Sequence, residues 1–492
     1  MEERRADIMD ERVLIYDKSS PGAGGYNLPE PEGDEERLLK YIPLKYRREE
    51  EAAFPEVTEG EVMRHYIGLS VKNHHIDKGF YPLGSCTMKY NPKINDRVAS
   101  LPGFSELHPL VPCMAASGSL EVMYKLGESL KEISGFGAIS LQPAAGAQGE
   151  FVGLLIMRAY HRDRGNVRRK IIIPDSAHGT NPASVTLAGY ETVQIKSSEK
   201  GILSAKAIEA VIDDETAGMM LTNPNTLGLF ESDIKRMAEV IHEAGALLYM
   251  DGANLNAQLG LVQPGKIGFD ILHFNLHKTF STPHGGGGPG AGATAVTEEL
   301  APYLPVPVVV KDNNSGEFYL DYERPKSIGR LHMHYGNFAN VLRAYAYIRT
   351  LGAKGLRRIS ENAILNANYL KALLREEFDI PFDGICQHEF VLSCARQKKK
   401  GIRALDMAKR ILDFGFHAPT VYFPLIVPEA FMIEPTETES RYTLDQFART
   451  LISISKEADS DPEILKTAPH MTPVRRLDEV KAARELDVGF KS

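Results

Sequence analysis

The order of apolar segments along the 492-residue chain predicts an α/β fold built on a mainly parallel sheet. Between residues 170 and 296, apolar runs of strand length alternate with segments that have the periodicity of amphipathic helices. Strands joined through helices in this way pair in parallel, with helices on both faces of the sheet. Polar residues directly follow several of these runs, and ligands bind beyond the carboxyl ends of parallel strands. The pattern therefore predicts a ligand site at one edge of the sheet.

Six strands and four helices are predicted for this large α/β domain, which is expected to span residues 111–335. The strands are rich in aliphatic residues and are expected at 170–173, 191–196, 217–222, 246–250, 269–276 and 291–296. The helices carry their apolar residues on one face and are expected at 119–136, 149–161, 204–212 and 232–243.

The last third of the chain predicts a smaller α+β domain at 336–492. Two long helices begin it, and 425–433 is expected to form one or two strands. The helices are expected at 340–351, 354–377, 404–414 and 444–458, and the strands at 389–394 and 425–433. The run EPTETES at 434–440 is too acidic to be expected in a core, and the sequence alone suggests no physical role for it.

The first 110 residues are expected to form an N-terminal arm and a segment that carries a long loop. Residues 1–60 are polar and rich in Gly and Pro, and a short helix is expected at 61–67. Residues 74–92 are dense in Gly, Pro and polar groups, which predicts a long loop. Long loops in compact domains are often functional.

Composition and charge exclude several classes of function. A net charge of −8 argues against nucleic-acid binding, and we find no apolar stretch long enough to span a bilayer. Four cysteines are too few for a disulfide framework in a chain of this length, and their spacing predicts no metal site. The N-terminus is charged rather than apolar, so we expect no export signal and a cytoplasmic location.

Lys278 is the first candidate catalytic residue, because it follows the apolar strand predicted at 269–276. Burial lowers the pKa of a lysine, and a neutral amine is a nucleophile that forms Schiff bases. The glycine run Gly285–Gly288 follows, and glycine lets backbone approach a bound group closely. On its own, a lysine at a strand end is more typical of the protein surface. Together, these features suggest a covalently held aldehyde cofactor, for which pyridoxal phosphate is the usual choice.

Asp251 and His178 also follow predicted strands and would complete such a site. A carboxylate at Asp251 would keep the pyridine nitrogen of the cofactor protonated, so that the ring works as an electron sink. The imidazole of His178 would stack on the ring. The alternatives are a turn aspartate and a loop histidine that is satisfied by its neighbours.

A phosphate site is predicted where small residues lead directly into a helix, at Gly146, Ala147 and Gln148. Free N–H groups and the helix dipole bind phosphate at such a terminus. A tight turn into the helix explains the same residues equally well when they are considered alone.

The order phosphate loop, histidine, aspartate and lysine is that of pyridoxal-phosphate (PLP) enzymes of the aspartate-aminotransferase fold type I. More narrowly, the chain resembles the PLP-bearing half of the glycine cleavage system P-protein, glycine decarboxylase, as it occurs in the split, two-subunit form. The segments that carry this resemblance are YPLGSCTMKYNPK (81–93), LQPAAGAQGE (141–150), DSAHGTNPAS (175–184), LTNPNTLGLFE (221–231), MDGANLNA (250–257), NLHKTFSTPHGGGGPG (275–290) and MIEPTETES (432–440).

The resemblance implies a PLP-dependent glycine dehydrogenase of the aminomethyl-transferring type. PLP would form a Schiff base with Lys278 and bind the amino group of glycine. CO2 would be released, and the aminomethyl group would pass to the lipoyl arm of the H-protein. The implied partners are a homologous P-protein subunit 1, in a heterodimer or an α₂β₂ tetramer, and the lipoylated H-protein.

The same resemblance implies that the loop at 74–92 is an active-site loop, and it implies further site residues. Besides Lys278, Asp251 and His178, they comprise the cofactor-binding residues Gly146, Ala147, Gln148, Thr222 and His277 and the substrate-binding residues Ser85, Cys86, Thr87 and Asn254. His277 would contact the phosphate or only pack against its neighbours. The residue that binds the glycine carboxylate is left open among Arg330, His332 and His334.

Two other functions remain open from the sequence. One is a PLP-dependent decarboxylase or aldolase of another small amino acid, because the same fold serves many reactions. The other is a non-catalytic scaffold subunit, since the family includes a homologous half without PLP. The presence of Lys278, Asp251 and His178 argues against the scaffold.

Overall fold

The protein contains a seven-stranded sheet with the strand order β1-β7-β6-β5-β4-β2-β3. The computed structural model describes residues 13–25, 29, 33, 35–50, 52–284 and 290–488. Strands β2 to β6 pair in parallel, whereas β7 runs antiparallel to both of its neighbours, β1 and β6. The strands of this sheet are β1 (Ala138–Ser140), β2 (Lys170–Pro174), β3 (Glu191–Ile195), β4 (Thr216–Thr222), β5 (Leu247–Gly252), β6 (Ile271–Asn275) and β7 (Gly292–Val296).

The predicted α/β class with a mainly parallel sheet is confirmed. All positions of β4, β5 and β6 are buried, as expected for strands that are covered by helices on both faces. The α-helices up to residue 279 are α1 (Glu35–Leu39), α2 (Glu59–Ser70), α3 (Lys93–Ala99), α4 (Pro102–Ser105), α5 (Ser117–Ser134), α6 (Gly146–Asp163), α7 (Thr180–Leu187), α8 (Ala205–Glu209), α9 (Ile234–Glu243) and α10 (Leu276–Thr279).

A smaller three-stranded antiparallel sheet, with the order β10-β12-β11, lies in the C-terminal part of the chain. Its strands are β10 (Phe390–Ser393), β11 (Thr420–Val421) and β12 (Ala430–Ile433); the hairpin β8 (Val308–Lys311) and β9 (Phe318–Asp321) precedes it. The remaining helices are α11 (Phe338–Leu374), α12 (Ala395–Lys398), α13 (Ala404–Asp413), α14 (Arg441–Ser460), α15 (Pro462–Thr467) and α16 (Glu479–Arg484). This sheet and its helices share an apolar core of their own.

Two compact units divide the chain, Met1–Lys78 and Gly79–Ser492. Both the seven-stranded and the three-stranded sheet belong to the second unit. The first unit includes α1 and α2, and Thr58 caps α2 by accepting a hydrogen bond from the N–H of Glu61. Within the described ranges, no helix is both long and apolar enough to cross a membrane.

The structure differs from the sequence-based elements where local signals were misleading. Helix α7 lies in a segment that reads as a loop, because Gly179 and Pro182 fall within or next to its first turn. By contrast, the two helices predicted at 340–351 and 354–377 are both present within α11, which has a kink at Gly352, where φ is 61° and the backbone is not helical. Glycine tolerates this left-handed conformation, and the break falls between the two predicted helices.

Candidate active site

The carboxyl ends of neighbouring parallel strands bring the predicted site residues to one edge of the sheet. Thr222 ends β4 and lies opposite Asp251 of β5 in the sheet register. Asp251 in turn lies opposite His273 of β6. Lys278 follows β6 by three residues, and His178 follows the end of β2 by four.

Lys278 lies in the short helix α10, which begins directly after β6. Its Nζ donates a hydrogen bond to the carbonyl oxygen of Ser85 at 2.7 Å. Ser85 and Thr87 both have positive φ values, 65° and 49°. Side chains other than glycine rarely adopt this conformation, and it is concentrated in functional loops. The long loop at 74–92 therefore meets Lys278 through a constrained backbone segment.

Asp251 is buried and surrounded by donors. Its Oδ2 accepts from Nδ2 of Asn181 at 3.1 Å, and its Oδ1 accepts from the N–H of Ala253 at 2.9 Å. Burial opposes the charge, but the neighbouring His273 and the N–H of Ala253 outweigh it, so the pKa of Asp251 is lowered. The carboxyl is therefore ionised at neutral pH, as a partner for a pyridinium nitrogen must be.

His273 is a site residue that the sequence reading missed. Its Nε2 lies 3.3 Å from Oδ1 of Asp251, and its Nδ1 lies 2.6 Å from the hydroxyl of Tyr249. Burial lowers the pKa of His273, whereas the charge of Asp251 acts in the opposite direction. A neutral ring that accepts from Tyr249 at Nδ1 presents an N–H to Asp251 at Nε2. The sequence signal that could have identified His273 is a histidine inside an otherwise apolar strand.

His178 lies above the end of β2 in a network of hydroxyl groups. Its Nδ1 lies 2.9 Å from the hydroxyl oxygen of Thr180, which also donates to Glu150 at 2.8 Å. Burial lowers the pKa of His178, which keeps the ring neutral. Burial, together with the charge of Asp251, raises the pKa of Glu150 to about 7. The hydrogen bonds from His178 to Thr180 and from Thr180 to Glu150 thus fix the position of the imidazole, a role that the sequence did not indicate.

Helix α6 begins at Gly146, and the N–H of Gly149 donates the first hydrogen bond within this helix. The N–H groups of Gly146, Ala147 and Gln148 precede that bond, as expected for the first turn of a helix. A Cβ at Gly146 would lie 2.5 Å from Oδ1 of Asn275, so a larger residue would fill this space. The predicted phosphate loop therefore has open donors beside the end of β6.

His277 lies on α10 rather than on a continued strand. Its Nδ1 is 3.0 Å from the carbonyl oxygen of Ala291, and burial lowers the pKa of its ring to about 4. Its ring meets that of His284 edge-on, with a centroid distance of 5.0 Å. The glycine run Gly285–Gly288 lies outside the described residues.

Thr222 and Asn254 are engaged by protein atoms. The hydroxyl of Thr222 donates to Oδ2 of Asp251 at 3.4 Å. The amide of Asn254 donates to the carbonyl oxygen of Pro224 at 2.9 Å and to Oε1 of Glu389 at 3.2 Å. These contacts give both residues an orienting role in the structure.

Of the three candidates for the carboxylate of the substrate, His332 reaches the predicted phosphate loop. Its Nε2 lies 2.7 Å from Oε1 of Gln148. Arg330 is exposed, and it donates to the carbonyl oxygen of Met333 at 3.2 Å. Nδ1 of His334 is buried without a hydrogen-bond partner among the described residues.

The acidic run at 434–440 is partly core, so the expectation that it is too acidic for a core is wrong. Glu434 and Thr436 are fully buried. Oε2 of Glu434 accepts from the N–H of Thr87 at 2.8 Å, and Thr438 accepts from the N–H of Tyr90 at 3.2 Å. Hydrogen bonds to the loop compensate for the burial of polar groups, which charge counting along the sequence does not reveal.

Lys89 joins this acidic run to the helix of Lys278. It is 3% exposed, and its Nζ lies 2.8 Å from Oε1 of Glu437. The same Nζ donates to the carbonyl oxygen of Thr279 and to Oδ1 of Asn256, each at 2.8 Å. One buried cation thereby connects the loop, the C-terminal region and the residue next to Lys278.

The residues at this sheet edge suit PLP. The open N–H groups at the start of α6 provide donors for a phosphate. Asp251 is an ionised carboxyl, and the amine of Lys278 donates to Ser85 in the loop at 74–92. Oδ1 of Asn275 and the hydroxyl oxygen of Thr282 are buried without a hydrogen-bond partner in the part of the chain that the structure describes. Such atoms are expected where a polar ligand completes a site.

Two family descriptions match the chain, "Glycine dehydrogenase, C-terminal domain" at residues 359–470 and "Aminotransferase class-V" at residues 154–305. The probable glycine dehydrogenase (decarboxylating) subunit 2 of Halalkalibacterium halodurans is 56% identical over 476 residues, which cover 96% of this chain and 97% of the relative. The protein of the same description from Caldanaerobacter subterraneus subsp. tengcongensis is 57% identical over 478 residues, which cover 97% of this chain and 98% of the relative.

Solved structures share the fold. A crystal structure of glycine decarboxylase (P-protein) of the glycine cleavage system, in inhibitor-bound form, superimposes with a TM-score of 0.74 at 20% identity, covering 87% of this chain and 100% of that one. Glutamate decarboxylase of Lactobacillus brevis superimposes with a TM-score of 0.63 at 13% identity, covering 84% of this chain and 96% of that one. The fold is that of PLP-dependent enzymes, a large α/β domain followed by a smaller α+β domain.

We predict that Lys89→Met lowers the free energy of unfolding by about 3–5 kcal/mol, because it leaves Glu437 buried without its cation. Denaturant unfolding measures the change. Lys125→Met is the matched control: Lys125 pairs with Glu121 on an exposed helix face, and its loss should have no measurable effect. Equal unfolding midpoints for Lys89→Met and wild type would contradict the role of this ion pair.

Proposed function

The chain belongs to the family of glycine dehydrogenase (decarboxylating) subunit 2 proteins, and we propose that it carries the PLP site of glycine decarboxylation in the glycine cleavage system. The observation that carries the proposal is the convergence of Lys278, Asp251 and His178 at one sheet edge, beside the open start of α6. Relatives at 54–57% identity over nearly the whole chain support the same substrate, and they favour glycine over another small amino acid.

PLP, when bound, supplies an electron sink for the pair of electrons left by the departing carboxylate. Lys278 would hold the cofactor covalently through Nζ and release it to the amino group of glycine. The carbonyl oxygen of Ser85 accepts from that Nζ and would orient it when it is free. The N–H groups of Gly146, Ala147 and Gln148 would bind the phosphate, with His277 nearby.

Asp251 would receive the ring N–H and keep the nitrogen protonated. Its low pKa suits this role, and His273 and Asn181 hold its two oxygens in place. Neutral His178 would cover one face of the ring, positioned by Thr180. Ser85, Cys86 and Thr87 would line the substrate side, and the clamp formed by Glu434 and Lys89 keeps this loop in place.

The name of the relatives, subunit 2, implies a partner chain, subunit 1. We propose that it is the homologous half of the P-protein and that the two chains form a heterodimer or an α₂β₂ tetramer. The proposed acceptor of the aminomethyl group is the lipoyl arm of the H-protein, whose disulfide is reduced in the transfer. A cytoplasmic location is part of the same proposal.

We predict that Lys278→Ala abolishes both the visible absorbance of the cofactor Schiff base and the release of CO2 from glycine, because no other group replaces its amine. Absorbance after addition of PLP and CO2 release with the complete system measure the two effects. Lys125→Ala, on an exposed helix face, should behave as wild type. Retained turnover in Lys278→Ala would refute the assignment.

We predict that Asp251→Asn still binds PLP but lowers the rate of decarboxylation by about two orders of magnitude or more. An amide does not hold the ring nitrogen protonated, so a preorganised electrostatic interaction is lost. The PLP content, from absorbance after alkaline release of the cofactor, separates binding from rate. A rate close to wild type at full PLP occupancy would contradict this role of Asp251.

A further inference from the structure

Three fully buried titratable side chains, His388, Glu389 and Glu434, form a cluster whose ionisation has no role in the mechanism above. Strands β10 and β12 pair antiparallel, with Phe390 opposite Ile433. Glu389 and Glu434 flank this pair, so the sheet register itself brings the two carboxyls together. One ligand atom of each of the three side chains lies within 4.8 Å of the others.

The loop that contacts Lys278 also holds these carboxyls. The N–H of Ser85 donates to Oε2 of Glu389, and the N–H of Thr87 donates to Oε2 of Glu434, each at 2.8 Å. The carbonyl oxygen of Ser85 accepts from Nζ of Lys278 at 2.7 Å. A single residue, Ser85, therefore links Glu389 to the amine of Lys278: its N–H contacts the carboxyl, and its carbonyl oxygen contacts the amine.

The two carboxyls cannot both be ionised cheaply in this environment, because like charges in low dielectric repel strongly. Burial, followed by the charge of Glu434, raises the pKa of Glu389 well above its ordinary value. Burial raises the pKa of Glu434 to about 7. Such a pair titrates as a unit and holds one proton over a wide pH range.

His388 does not neutralise the pair. Burial lowers the pKa of its ring to about 3, so it is uncharged at neutral pH. Its Nε2 lies 3.8 Å from Oε1 of Glu389 and 3.9 Å from Oε1 of Glu434, beyond hydrogen-bond distance.

The other titratable neighbours leave Lys278 as the cation that faces the pair. The Cys86 thiol has a raised pKa because it is buried, so it is uncharged. Lys89 also lies near Glu434, but it is paired with Glu437 at 2.8 Å. Lys278 acts electrostatically on both carboxyls.

We propose that Glu389 and Glu434 share one proton and that the single negative charge of the pair is the internal counter-charge of Lys278. Glu389 and Glu434 are positioning residues, because they act on Lys278 through the hydrogen bonds of Ser85 and through the electric field of their shared negative charge. A negative charge at this place favours the protonated Schiff base of Lys278, which is the more electrophilic form and exchanges more readily with an incoming amine. The inference rests on the proposed Schiff base at Lys278, but not on the identity of the substrate.

The test is a pH titration of the Schiff-base absorbance of the holoenzyme in the variants Glu389→Gln, Glu434→Gln and the double variant. If one proton is shared, each single replacement removes the protonated partner and leaves one negative charge. The midpoint should then stay close to that of wild type. The double variant removes the charge and should lower the midpoint by about one pH unit or more.

Glu231→Gln is the matched control, since Glu231 is another fully buried glutamate whose pKa burial raises to about 7. It accepts hydrogen bonds from Leu203 and Asn225 and should not move the midpoint. If each single variant lowers the midpoint by half as much as the double variant does, both carboxyls are ionised in the wild type. That result would overturn the shared proton. No shift in the double variant would overturn the counter-charge.

A second measurement needs neither the double variant nor bound PLP. Infrared spectra of the apoprotein at neutral pH should show a protonated carboxyl band, in addition to absorption from Glu150 and Glu231, that disappears in Glu389→Gln and also in Glu434→Gln. The His388→Gln variant should retain this band. Persistence of the band in both single variants would overturn the proposal. One equivalent of a divalent metal in the purified protein, lost in either variant, would overturn it too, because the three side chains would then be ligands.

If the protein shows this infrared behaviour but binds no PLP, the shared proton is supported and the proposed cofactor is refuted. A protein that binds PLP and lacks the band would refute the inference alone. The two failures are therefore distinguishable.

Discussion

Burial of charge at one edge of the sheet is the constraint on which the rest of the site depends. An unpaired charge in a protein interior is costly, so each buried ionic group must have a partner placed by the fold. Asp251 has Asn181, the N–H of Ala253 and His273 as partners. Lys89 has Glu437. These contacts leave the carboxyl of Asp251 ionised and hold the loop in place without exposing either residue.

The same contacts join distant parts of the chain around Lys278. The loop at 74–92 supplies Ser85, Thr87 and Lys89, and the C-terminal region supplies the carboxylates that hold them. The carbonyl oxygen of Thr279, next to Lys278, accepts from Lys89. The position of the lysine is thus determined by both the large and the small sheet, which explains why the acidic run at 434–440 is buried.

The sequence predicted the parts of the structure that depend on local pattern. Apolar runs followed by polar residues identified the strands, and through them Lys278, Asp251 and His178 at the sheet edge. Residues whose role arises from long-range pairing were not predictable in this way. Glu389 and Glu434 come together only through the register of β10 and β12, and Lys89 meets Glu437 from a position 348 residues away. Helix α7 was missed because Gly179 and Pro182 are turn signals in isolation, whereas Pro is compatible with the first turn of a helix.

The most direct test of the central claim is exchange of labelled bicarbonate into the carboxyl group of glycine. The assay compares this chain alone, with the expected partner subunit, with lipoylated carrier protein, and with both. We expect exchange that needs both the partner and the carrier, because we propose that glycine is decarboxylated at Lys278 within a heteromer. Absence of exchange in the complete system, with amine release from another amino acid, would contradict glycine cleavage and leave only the PLP site.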